Sequence, residues 1–337
     1  MSGVLAPVVD NGGQSFGIAP TAIAYLSLGT VITALHIPLF LIILRNPKRR
    51  LKKEWLIIVA LGIADFLQAI SFAWIGIFRL TTMSLPVTTV LIGDCASKPF
   101  ILLWVFAFQL IGLMTLSLSV DRVLIVTSPV RYARVGVVPH LALFFFVPVL
   151  ISATTLVVNL LLALRSSATV TSACVALFSN TPGKPVETAY TVTAYGRFVL
   201  ISSELCSKTY LMISRIIVVG TAVVLFPFVI VRMRKSGRNE FQPGNRQNQK
   251  AVRATTISIA FTTIDSFFLL LIPDFLYVIG ILSPYTLIYT ICALSKALVN
   301  VFIYAIGHRA IREELLSRFR TAKQHITTKL SSMSYNS

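Results

Sequence analysis

Residues Pro99–Val120 read PFILLWVFAFQLIGLMTLSLSV, an unbroken run without a charged residue. A helix needs roughly 20 apolar residues to cross about 30 Å of hydrocarbon, and this run is long enough. It is too long for a strand and too continuously apolar for an ordinary helix of a soluble core. The run stops at Asp121-Arg122, where charge returns abruptly. Six further runs share this character. Pro20–Leu44 and Leu141–Leu164 carry no charge, and Trp55–Phe78 holds only Asp65. Thr209–Val231 holds only Arg215, Ala254–Leu282 only Asp265 and Asp274, and Pro284–Gly307 only Lys296. The pattern predicts an all-α bundle of seven transmembrane helices at residues 20–44, 55–78, 99–122, 141–164, 209–231, 254–282 and 284–307.

Composition agrees, because a chain that is 55% hydrophobic and 12% charged, with a mean hydropathy of +0.81, has more apolar surface than one soluble core can hide. The net charge of +18 is not a nucleic-acid footprint. Its Lys and Arg residues crowd into short gaps between apolar runs instead of forming a polar and aromatic face, which argues against a nucleic-acid partner. The segments 45–53, 122–134, 232–253 and 309–337 hold six, three, seven and six of them, whereas the opposite set of gaps holds six altogether. Cytoplasmic loops collect positive charge, so the expected orientation places residues 1–19 outside the cell membrane and residues 321–337 in the cytoplasm. Ser166–Ser207 then becomes a long outer loop.

Beyond the seventh run, Ile311, Leu315 and Phe319 recur at helical spacing with Leu316 beside them, while Arg309, Arg312, Arg318 and Arg320 fill the other face. The reading is a short amphipathic helix 8 over 308–320, lying on the cytoplasmic membrane surface.

Asp121-Arg122-Val123 with Pro129 and Tyr132, Leu61-Gly62-Ile63-Ala64-Asp65, Asn300-Val301-Phe302-Ile303-Tyr304, and Phe267 with Pro273 form a set of motifs that resembles those of the rhodopsin-like G-protein-coupled receptors. Asp121-Arg122-Val123, followed by Pro129 and Tyr132, is similar to that family's DRY motif with its downstream Pro-x-x-Tyr. Leu61-Gly62-Ile63-Ala64-Asp65 resembles Leu-x-x-Ala-Asp, and Asn300-Val301-Phe302-Ile303-Tyr304 resembles Asn-Pro-x-x-Tyr with Val in place of Pro. Phe267 and Pro273 match the ends of Phe-x-x-x-Trp-x-Pro, with Leu271 standing for the Trp. The resemblance implies coupling to a heterotrimeric G protein through Asp121, Arg122, Pro129 and Tyr132. It also implies an activation core of Asp65, Lys296, Asn300, Tyr304, Phe267 and Pro273. The fourth run lacks a Trp, the first has no central Asn and only His36 as a polar residue nearby, and Arg253 replaces an acid that often faces the Arg of DRY. Arg122 must then rely on Asp121. This erosion is similar to that of the nematode serpentine chemoreceptors. The family's outer disulfide would join Cys95 to Cys174, although Cys206 remains a rival partner.

An ionisable group inside a transmembrane helix is costly and usually paired or functional. At about 1.5 Å per residue, Arg215 lies roughly 25 Å above the cytoplasmic side, between Asp265 at about 18 Å and Asp274 at about 32 Å. Either is a candidate partner. Asp274 serves as a structural counter-ion or as a ligand-binding group. The place where amine receptors carry an Asp is Trp104, which with Phe108, Gln109, Phe275 and Thr290 outlines a largely aromatic cavity by family alignment. The expected ligand is an extracellular small molecule or peptide, of a chemosensory kind.

Two other functions stand beside the receptor. Lys296 in the last helix would suit a retinal protein, but the opsin place, six residues before Asn300, is Leu294. A secondary transporter is the other alternative, though no inverted repeat is visible. No catalytic constellation or metal-ligand spacing appears, so neither an enzyme nor a cofactor is expected. Lys296 falls on the face of Asn300, four residues away, and ten residues separate it from Ile306 as ten separate Asp65 from Trp55. Both therefore lie about 15 Å deep. In the receptors that the motifs resemble, that face of the seventh helix looks at the Asp of the second, so the resemblance implies that Lys296 replaces a sodium ion as a built-in counter-ion to Asp65.

Overall fold

The computed structural model describes residues 15–45, 53–82, 89–165, 169–171, 197–239, 257, 259–279, 281, 286–307, 311–314 and 317. Within them lie seven helices long and apolar enough to span a membrane. They are α1 (Ser15–Arg45), α2 (Lys53–Thr82), α3 (Pro99–Thr127), α4 (Val137–Arg165), α5 (Arg197–Asn239), α6 (Ile259–Val278) and α7 (Thr286–Gly307). Most helices overrun their apolar runs, with Lys53 ahead of its run and Arg45, Arg79 and Arg165 beyond theirs still helical. The largest departure is in α5, whose helix begins at Arg197, inside the stretch expected to be outer loop.

The bundle is built around α3. α1 packs chiefly on α2, α2 and α5 on α3, and α6 between α5 and α7. The apolar span of α3 is 61% buried and that of α4 only 17%, which places α4 at the rim. Outward-facing side chains are themselves apolar, among them Leu150 at 67%, Val224 at 74% and Ile217 at 61% exposure. Water would not tolerate such a continuous apolar mantle, and lipid does. The chain is a multi-pass membrane protein.

Small residues set the α1–α2 distance. A Cβ on Gly29 would lie 2.6 Å from the Ala69 carbonyl oxygen, and one on Gly76 would lie 2.7 Å from that of Ala22. Without side chains at these positions the two backbones approach closely enough for dense van der Waals packing.

Among the described residues, two helices carry a π-helical stretch, Ala142–Phe146 in α4 and Phe267–Leu271 in α6. Each ends two residues before a proline, Pro148 and Pro273. A proline donates no hydrogen bond and its ring presses on the carbonyl four residues earlier, so the wider turn accommodates it without breaking the helix.

At the opposite end from Arg122, Thr89–Leu91 and Thr169–Thr171 form a short antiparallel pair with Val90 facing Val170. Residues 311–314 are helical after α7. Ile311 is fully buried against the apolar core while Arg312 and Glu313 are exposed, as an amphipathic helix requires. Leu315, Leu316 and Phe319 lie outside the described residues.

Candidate functional site

Polar groups inside the bundle gather at three levels. The first is the basic end. α3 continues through Asp121-Arg122 to Thr127, and the exposed Pro129 opens a six-residue helical turn, Pro129–Arg134. That turn brings Tyr132 back beneath α3, where its hydroxyl donates to Asp121 Oδ1 at 3.0 Å. Arg122 Nη2 lies 3.2 Å from Asp121 Oδ2, and His140 Nε2 lies 3.4 Å from Oδ1. Lys53 of α2 donates to the Tyr132 carbonyl at 2.7 Å and stands 4.5 Å from its ring centroid. His140, which no motif marks, stacks at 4.7 Å on Phe144 and edge-on at 5.6 Å to Tyr132.

Arg122 is only 1% exposed, yet Nε, Nη1 and Nη2 make no hydrogen bond among the described residues. A buried guanidinium carries five donors, and normally most are used. Here the neighbouring carboxylate supplies charge without satisfying the donors.

The second level lies midway through the bundle. Lys296 of α7 donates to Asp65 Oδ1 of α2 at 2.8 Å, and Asn300 donates to Asp65 Oδ2 at 2.7 Å. All three side chains are fully buried. The contact anticipated from the equal depth counts is present, and one carboxylate accepts from both an ammonium and an amide. Tyr304, one turn beyond Asn300, is buried beside Thr262 of α6. Phe267 begins the π stretch of α6 and Pro273 is buried just after it.

The third level lies toward the opposite end. Arg215 of α5 is clamped by both carboxylate oxygens of Asp274 on α6, through Nε at 2.6 Å and through Nη2. Its Nη2 also reaches the Tyr289 hydroxyl of α7 at 2.7 Å, and Tyr289 donates to Asp274 at 2.9 Å. The guanidinium carbon lies 3.5 Å from the centroid of Phe108 on α3, a cation–π contact. Four helices thus meet on one ion pair. Of the two candidate partners for Arg215, the structure selects Asp274.

Trp104, Phe108, Gln109 and Thr290 are also buried here. Ser214 donates to Gln109 at 3.1 Å, and the Tyr25 hydroxyl meets Thr290 at 3.0 Å. Phe275 departs from the expectation. It is 54% exposed on the outer surface of α6, because the turn that points Asp274 inward rotates its neighbour by about 100°. Cys95 is buried just before α3, while Cys174 and the side chain of Cys206 lie outside the described residues. Arg253 lies outside them too. Cys292 is a free thiol.

The chain matches no protein-family model, and no curated protein is similar enough to count as a relative.

Proposed function

We propose that this chain is a G-protein-coupled receptor of the rhodopsin-like type, in the cell membrane with its N-terminus outside. The Lys and Arg bias between alternate loops supports that orientation. The observation that carries the reading is Arg122: a buried guanidinium at the basic mouth of the bundle, tethered to one carboxylate and holding unused donors. Such a group is prepared to meet backbone carbonyls of an inserted partner segment, and the Asp121–Tyr132 contact ties its release to the turn after α3.

An extracellular small molecule or peptide would act on the half of the bundle around Arg215, Asp274, Tyr289, Trp104, Phe108, Gln109 and Thr290. Those residues join α3, α5, α6 and α7, so a ligand that favours one packing of these helices shifts the equilibrium between two bundle states. A Cys95–Cys174 disulfide belongs to the same reading. The pairing of Thr89–Leu91 with Thr169–Thr171 supports it by holding the outer loop beside the approach to Cys95.

The test is a panel of small molecules and peptides applied to cells that express the chain with a promiscuous G protein. Responses should vanish in Arg122→Ala at unchanged surface density. Agonist responses that survive Arg122→Ala count against the reading.

A further inference from the structure

Pro129–Arg134 is a six-residue helical turn with no buried residue, and a helix of that length does not hold together by its own hydrogen bonds. Pro129 opens it at the one place where a missing N–H costs nothing. The other end is the weak one. Val135 N–H closes on the Arg131 carbonyl at 3.2 Å, and the chain then runs extended through Val135 and Gly136. The Tyr132 carbonyl is one of the last four of the helix, which have no partner within it.

Its donor comes from another helix. Lys53 Nζ, at the start of α2, donates to the Tyr132 carbonyl at 2.7 Å, and the same ammonium stands 4.5 Å from the centroid of the Tyr132 ring. A cation is favoured both at the carbonyl end of a helix and against an aromatic face. Lys53 is half-buried and forms no salt bridge among the described residues, so its charge is not committed to a carboxylate. In the sequence it is only the last of the six basic residues of 45–53, where it reads as an orienting charge. His140 of α4 meets the Tyr132 ring edge-on at 5.6 Å. With carbonyl and ring held, the Tyr132 hydroxyl reaches Asp121 Oδ1 at 3.0 Å, while Arg122 stands 3.2 Å from Oδ2. The two oxygens of one carboxylate are thus divided between the turn and the guanidinium.

We infer that Lys53 is a positioning residue: from α2 it caps the Pro129–Arg134 turn, and by holding Tyr132 it sets how tightly Asp121 retains Arg122. A carboxylate that already accepts from Tyr132 holds a guanidinium less firmly than one whose two oxygens are both open to the fork. Without Lys53 the turn frays, the hydroxyl leaves Oδ1, and Asp121 takes Arg122 by both oxygens. The cap depends on the contacts alone, whereas its consequence for signalling rests on the receptor reading of Arg122.

Hydrogen–deuterium exchange on the purified full chain in nanodiscs tests the cap without any ligand. In Lys53→Met the peptide spanning 129–136 should exchange at least about tenfold faster, as loss of a hydrogen bond from a charged donor requires, and Lys53→Arg should keep its protection. Arg45→Met removes an exposed charge from the same basic segment and should change nothing. Tyr132→Phe should speed exchange when Lys53 is present and add little in the Lys53→Met background. Agonist-independent G-protein activation, measured in cells at equal surface density, should fall severalfold in Lys53→Met and hold in Lys53→Arg. In the Asp121→Asn background Lys53→Met should have no further effect, because Lys53 acts through that carboxylate. Unchanged exchange in Lys53→Met, or an equal effect of Arg45→Met, overturns the cap. Faster exchange with unaltered activation overturns the link to Arg122 and leaves the receptor reading in place. Silence of the wild type and Asp121→Asn alike counts against the receptor reading itself, and the exchange result still decides the cap.

Discussion

Lys296 Nζ lies 2.8 Å from Asp65 Oδ1, and these two wholly buried residues on α7 and α2 form an ion pair with no access to solvent. Removing one partner leaves the other charge uncompensated, whereas removing both does not, so the pair is best tested as a pair. Lys296→Met and Asp65→Asn should each lower stability by about 3–5 kcal/mol, and the double variant should recover at least half of either loss. Thermal unfolding in detergent measures this. A double variant no better than the worse single one would show that the two charges do not compensate each other.

The basic end makes an opposite pair of predictions. Asp121 holds Arg122 at 3.2 Å, and neutralising the carboxylate frees the guanidinium for a partner without removing it. Asp121→Asn should therefore raise agonist-independent G-protein activation several-fold, while Arg122→Ala should reduce it to background. Both are read in one cell assay normalised to surface density. Equal effects in the same direction would mean that the pair only supports folding.

The α1–α2 interface predicts a contrast between glycines. Gly29→Ala places a Cβ 2.6 Å from a backbone oxygen, and backbone cannot swing aside as a side chain does. Overpacking of this kind costs about 1–3 kcal/mol. Gly220 has its nearest neighbour at 3.9 Å, the tip of Leu271, so Gly220→Ala gains helix propensity, up to about 1 kcal/mol, without a clash. The melting temperature should fall for the first variant and hold or rise for the second. Similar shifts in both would contradict the packing described.

How much of this could be read from the sequence depends on what each feature writes into it. The seven spans were legible because lipid demands long runs with few or no charges, and Lys and Arg crowd into most of the gaps between them. The Lys296–Asp65 contact was legible because each residue lies ten positions from the same end of the bundle and the motifs resemble a family in which that face of the seventh helix looks at the Asp of the second. The partner of Arg215 was not, since depth alone placed it between Asp265 and Asp274; side-chain direction on α6 decides, and an apolar helix carries little signal of its rotation. Phe275 is apolar and suits either lipid or core, so its outward position left no trace in the pattern. The π stretches were invisible beyond their prolines. His140 was missed because its partners, Asp121, Tyr132 and Phe144, converge only after the turn at Pro129 folds back.

The clamp on Arg215 supports the most demanding prediction, because its geometry separates charge from shape. Asp274 accepts through both oxygens, Tyr289 bridges the pair, and the flat face of the guanidinium lies 3.5 Å from the Phe108 centroid. An ammonium keeps the charge but has neither the fork nor the plane. Arg215→Lys should therefore lose most of the stability that Arg215→Met loses, instead of rescuing it. Asp274→Asn leaves a buried cation short of its counter-charge and should cost about 3–5 kcal/mol. Tyr289→Phe removes a hydroxyl bonded to charged groups and should cost less, about 1.5–3 kcal/mol. The combination Arg215→Met with Asp274→Leu replaces the ion pair by apolar volume and should restore folding, since a buried pair rarely outperforms well-packed hydrophobic side chains. If the site also takes the ligand, that restored double variant folds, reaches the surface and still fails to respond to any agonist of the wild type. Thermal unfolding and the G-protein assay, run on the same set, separate the two roles. A double variant that is both stable and fully responsive would reduce the clamp to a structural ion pair.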